Sequence, residues 1–119
     1  MAVARGPRRG DVYLVQLNPT RGSEIRKTRP CLVVSPDELN AHLKTFIVAP
    51  LTTGAHQYPF RVPCRFAGKD GHIIVDQVRV VDQERLTKRL GALTEPTLRK
   101  VLGVLQQMFF VARRRQLRT

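Results

Sequence analysis

Hydrophobic residues in the first two thirds of the chain fall in short groups, rich in Val, Ile and Phe, separated by turn-forming residues. This pattern predicts strands over 11–17, 31–35, 46–50, 60–66 and 73–81. The dividers are Asn18-Pro19-Thr20-Arg21-Gly22, Ser35-Pro36-Asp37, the stretch from Thr52 to Pro59, and Gly68-Lys69-Asp70-Gly71, each with Pro, Gly or Asx turn chemistry. A short helix is expected to start near Ser35 and cover 37–42. So many short strands in sequence favour a small antiparallel sheet or barrel.

The period changes in the last third. Leu98, Val101, Leu102, Leu105, Met108, Phe109 and Ala112 recur at steps of three and four and draw one apolar stripe down a helix. Thr94 is the expected N-cap, with Glu95 and Pro96 favourable in the first turn. The stripe suits core packed on the sheet or a contact with a second copy. The expected fold class is mainly β with helices: a small, partly open antiparallel barrel with a C-terminal amphipathic helix.

Length and composition sharpen this picture. At 119 residues, 42% of them hydrophobic and 25% charged, the chain is expected to be a single domain over 1–119 with one core, neither fibrous nor disordered. The net charge of +12 makes nucleic acid the first partner to consider. Arg5, Arg8, Arg9, Arg113, Arg114, Arg115 and Arg118 carry +7 of it, so residues 1–8 and 113–119 read as mobile basic arms, either affinity-raising or merely solubilising. With no membrane-length apolar run and no signal-peptide core, a soluble cytoplasmic protein is expected. Cys31 and Cys64 lack metal or redox spacing and read as buried thiols.

Metal and nucleotide-cofactor chemistry find no support. His42, His56 and His72 fall on different elements, and the glycines form no phosphate-binding fingerprint. What remains is polar: Gly22-Ser23-Glu24, Arg29-Pro30 and Thr52-Thr53 at turns, and Asp76-Gln77 in mid-strand. Arg21, Arg26, Lys27 and Arg29 against Glu24 make the densest basic patch of the body. A guanidinium with hydroxyls binds a phosphodiester, and a carboxylate or imidazole moves a proton. Together they suffice for metal-free cleavage of RNA through its 2′-OH, which DNA lacks.

At these residues the sequence resembles the MazF/PemK-like toxin family. The strings are RGDVYLVQLNPTRGSE (9–24), TRPCLVVSP (28–36), APLTT (49–53), YPF (58–60) and DQVR (76–79). The resemblance implies an SH3-like barrel forming a homodimer, and the toxin half of a type II toxin–antitoxin pair. Its activity would be that of an mRNA interferase, a metal-independent, sequence-selective endoribonuclease acting on single-stranded RNA with no cofactor. It further implies a cognate antitoxin with an acidic, disordered tail, and DNA binding by the toxin–antitoxin complex. The alternative is a non-catalytic nucleic-acid-binding or topoisomerase-poisoning barrel of the same fold.

Carried across by residue, the resemblance gives catalytic roles to Arg29 on the scissile phosphate, Thr52 as its hydroxyl partner and Glu24. Glu24 is either the general base for the 2′-OH or a base-edge contact. Gly22, Ser23, Arg26, Lys27, Thr53, His56 and Gln77 fall at RNA-binding positions, and Asp76 is either catalytic or a buried hydrogen-bonding strut. No metal site is implied. Ile74 stands where some relatives carry an arginine two positions before the aspartate, His56 where lysine is common, and Tyr13 where many have an aromatic residue.

Overall fold

The structure is a computed structural model and describes residues 5–17, 28–54 and 57–112. In chain order the elements are β1 (Asp11–Gln16), β2 (Thr28–Val33), α1 (Asp37–Asn40), β3 (Thr45–Thr53), β4 (Arg61–Phe66), β5 (Lys69–Ile74), β6 (Arg79–Asp82), β7 (Leu86–Ala92) and α2 (Glu95–Phe109). Seven strands form one open antiparallel sheet in the order β4-β5-β3-β2-β1-β7, with β6 also on β3. The expected mainly β class with a C-terminal helix holds.

Strand β3 organises the fold. Its first half pairs with β6 from Thr45↔Asp82 to Val48↔Arg79, and its last three residues pair with β5 from Leu51↔Ile73 to Thr53↔Gly71. Three steps along β3, from Val48 to Leu51, thus face six on the other side, from Arg79 back to Ile73. A 3-10 turn at Val75–Gln77 takes up the surplus. This corrects the expected continuous strand over 73–81: Val75 plugs the core, while Asp76 and Gln77 are extruded. The insertion lets β3 serve two differently directed halves of the sheet, as a bulge does.

Two further corrections concern the hairpins. The turn between β4 and β5 is only Ala67-Gly68, both at positive φ (54° and 77°), so Lys69 and Asp70 already belong to β5. Two central residues at positive φ give the tight hairpin turn whose twist suits the strands. Strand β7 was not expected from the sequence. It is an edge strand, mostly exposed and carrying Lys88 and Arg89, which blunts pairing with other sheets and also blurs the apolar alternation.

Instead of one core there are two clusters, because neighbouring residues of the central strands point to opposite faces. Val12, Leu32, Ala49, Leu51, Val62, Ile73 and Val75 gather with Val101 of α2, against which Leu98, Val104, Leu105 and Met108 also pack. Val15, Cys31, Val33, Phe46, Val48 and Val81 make the second cluster. Helix α2 starts after Thr94 as expected, although the Thr94 hydroxyl pairs with that of Thr97 (3.1 Å) rather than with a backbone N–H. It ends at Phe109, so Ala112 lies beyond it. Helix α1 stops at Asn40, two residues short of expectation.

The N-terminal arm is not free where it is described. The buried Asp11 carboxylate accepts hydrogen bonds from the Arg5 guanidinium (3.1 and 3.3 Å), the Arg8 amide (2.9 Å) and Arg89 (3.2 Å). The Arg9 amide donates to Asp37 (2.8 Å) and its guanidinium to the Val34 carbonyl (2.8 Å). Residues 1–4 and 113–119, the rest of the two arms, lie outside the described residues. Among the described residues no helix is long and apolar enough to cross a membrane.

Candidate active site

Strands β2 and β3 pair in the register Cys31↔Pro50, Leu32↔Ala49 and Val33↔Val48. Continued two residues further, that register sets Arg29 level with Thr52. Both line one cavity of about 540 Å³, together with Pro30, Thr53, Phe66, Lys69 and Asp70. The site therefore rests on strand ends, not on turns as the sequence suggested, and the sheet ladder fixes its spacing. Arg29 is half-buried, and among the described residues it has no ion-pair partner. The Thr52 hydroxyl donates to the Thr53 carbonyl at 3.2 Å, a long bond that a phosphate oxygen can displace.

The close fit at Thr52 depends on Gly71. A Cβ at this buried glycine would collide with the Thr52 carbonyl oxygen and crowd the Thr53 backbone. Lys69, Asp70 and Gly71, which the sequence pattern assigns to a turn, are lining residues that the pattern does not reveal. Placing the hairpin turn at Ala67-Gly68 would have found them, because Lys69 then starts a strand beside β4.

Asp76 and Gln77 do not line this cavity. Asp76 is no buried strut: its side chain is 40% exposed, on the extruded turn, and it accepts from Arg61 at 3.0 and 3.3 Å. The hydrogen bond from Arg61 holds its carboxyl below the usual range. Arg61 also stacks over Tyr58, 4.8 Å from the ring centre. Arg61 lies opposite Ile74 in the β4–β5 register. Asp76 thus takes its guanidinium partner from the adjacent strand and not from position 74 of its own. Gly22, Ser23, Glu24, Arg26, Lys27 and His56 lie outside the described residues.

The thiols take no part in acid–base chemistry. Burial pushes Cys31 up to about 12. Cys64 is only half-buried, which corrects the sequence reading, and burial followed by the nearby Asp70 charge raises it too. Neither is a thiolate near neutrality. Among the described residues no cluster of three metal-ligating side chains occurs.

Residues 8–109 match the family of PemK-like, MazF-like toxins of type II toxin–antitoxin systems. The chain belongs to that family. It is 34% identical to an Endoribonuclease MazF of Staphylococcus epidermidis, over 79% of this chain and 83% of that protein. Its fold superimposes on MazF from Deinococcus radiodurans with a TM-score of 0.75 at 28% identity, covering 88% of this chain and 97% of the other. It also resembles a mycobacterial endoribonuclease solved in complex with its cognate antitoxin, with a TM-score of 0.71 at 26% identity, covering 85% and 92%. These MazF-like toxins therefore share the overall fold in which strands β2 and β3 carry Arg29 and Thr52 here.

Proposed function

We propose that this toxin is an mRNA interferase: an endoribonuclease that cleaves single-stranded RNA in the cytoplasm without a metal ion, by in-line attack of the 2′-OH on its own phosphodiester. The observation that carries this is that Arg29 and Thr52, on the neighbouring strands β2 and β3, line one cavity. A guanidinium fork and a hydroxyl there hold two phosphate oxygens and stabilise the charge that develops as the phosphorus becomes five-coordinate. The 2′-OH loses its proton to Glu24 acting as general base, the 5′-oxygen departs with a proton from the Arg29 guanidinium that solvent then restores, and the products are a 2′,3′-cyclic phosphate and a 5′-hydroxyl. Ser23, Arg26, Lys27, Thr53 and His56 bind the flanking chain, Gly22 lets the loop approach it, and Gln77 reads a base.

The same groove binds the acidic, disordered tail of a cognate antitoxin, whose carboxylates take the places of RNA phosphates. The whole chain, 1–119, acts as one such domain, with basic tails at 1–8 and 113–119 that add to RNA affinity.

The test is incubation of purified protein with single-stranded RNA, and with DNA of the same sequence, in excess EDTA, followed by sequencing of the ends. RNA cut to 5′-hydroxyl ends with DNA spared is expected. Cleavage that needs a divalent ion overturns the mechanism. RNA bound but uncut favours the binding-module alternative.

A further inference from the structure

Directly across from Thr52 on β5 is His72, and across from His72 on β4 is Pro63. Facing residues of an antiparallel pair project to the same side of a sheet. His72 is 93% buried (7% relative exposure), and among the described residues its imidazole has no hydrogen-bond partner. Buried polar side chains are normally satisfied, so an orphan calls for an explanation such as an absent ligand. It lines a recess of about 680 Å³ with Gly54, Pro63, Cys64, Arg65, Asp70 and Thr97. This recess adjoins the Arg29–Thr52 cavity, and Cys64, Asp70 and Gly71 border both.

We propose that this recess is a nucleobase subsite next to the scissile phosphate, in which the His72 imidazole hydrogen-bonds the edge of the base and so determines sequence preference at one position beside the cut. The inference rests on the ribonuclease reading above. Charge decides between a base and a second phosphate as occupant. Among the described residues the one guanidinium in the recess, on Arg65, is held by Asp70 at 2.8 Å, so the pair brings no net charge to attract an anion. Pro63 and Cys64 instead offer an apolar wall on which a flat ring can lie, and the imidazole supplies one buried polar contact. A base has that combination of apolar face and polar edge. A strand held at Arg29 and Thr52 need only continue across Gly71 to reach it.

The experiment compares wild-type protein with His72→Ala and His72→Gln by mapping every cleavage end in a total RNA digest. Circular dichroism and melting would verify that each variant is folded. Wild type is expected to show a base preference at a position flanking the cut. His72→Ala should lose it there alone, with kcat/KM for the preferred site down about three- to tenfold, the worth of one hydrogen bond. His72→Gln should alter which base is preferred. Should His72→Ala fail to fold, Thr97→Leu, which narrows the recess from the helix side, must change the preference at the same position. An unchanged cut-site profile in a folded, active variant overturns the subsite alone. Equal weakening on all sequences, with a shallower salt dependence, marks a phosphate contact and overturns it too. Wild-type protein that cuts no RNA overturns the ribonuclease reading and the subsite with it.

Discussion

Arg29 and Asp11 illustrate two different uses of charge. Arg29 is half-buried and lines the cavity that is proposed to hold the scissile phosphate. Arg29→Ala should lower single-turnover cleavage about 10²- to 10³-fold, as for other lost transition-state donors, with the melting temperature little changed. Arg29→Lys should recover part of the rate, since a point charge lacks the bidentate geometry. A wild-type rate in Arg29→Ala would remove the side chain from the chemistry.

Asp11 is structural. Burial alone would raise its carboxyl, but the bonds from Arg5, the Arg8 amide and Arg89 outweigh it and hold the group below its usual value. Its folded pKa thus lies below the unfolded value of about 3.9. The resulting stabilisation is complete above that value and is lost as pH falls through the folded pKa. Asp11→Asn should cost about 1–3 kcal/mol in urea unfolding at pH 7. The gap from wild type should close only below about pH 4, and a gap constant down to pH 2 would refute the linkage.

Among the elements, the β4–β5 hairpin and α2 respond oppositely to the same change. Gly71→Ala drives a methyl into the Thr52 carbonyl, so β5 must move off β3 just where Thr52 meets the cavity. A loss of about 1–3 kcal/mol is expected, typical of overpacking, together with a fall in cleavage rate as Thr52 shifts. Gly103→Ala in α2 meets nothing within 4 Å and should stabilise the helix by about 0.5–1 kcal/mol with activity unchanged. Thermal melts and single-turnover rates on the two variants check both signs. Equal effects would mean that Gly71 is not where the strands approach closely. Strands β1 through β4 were readable because each carries a short run of Val, Ile, Leu or Phe bounded by turn-forming residues. The three-residue turn at Val75–Gln77 was not, because Val75 is as apolar as a strand residue and only the β3 register reveals the surplus.

For the whole molecule, α2 ends at Phe109, and Phe109, Phe110 and Val111 in succession are 71, 75 and 81% exposed. Consecutive large apolar residues at that exposure mark an interface. A second copy of the chain is the partner expected there. Sedimentation at micromolar concentration should give twice the chain mass, and the double substitution Phe109→Ser, Phe110→Ser should give the single mass without aggregation. A monomeric wild type, or a double variant that stays dimeric, would count against this end of α2 as the contact. The stripe read from the sequence could not make this distinction, since Val101 and Phe109 share one helical pattern and only packing shows that the first is buried and the second is not.

The sequence by itself determined the mainly β class, the C-terminal helix and its start after Thr94, the basic character, and Arg29 and Thr52 as the residues to examine. All of these depend on local spacing, turn chemistry or motif order. The tertiary structure decided what depends on register between distant segments. It brought Arg29 and Thr52 to one cavity, called for glycine at position 71, gave Asp76 its arginine from β4, buried His72 beside Thr52, and brought Arg89 of β7 to Asp11. None of these pairs is near in sequence, and the hydrogen-bonded ladder that joins them is written in backbone geometry, to which side-chain pattern is nearly blind.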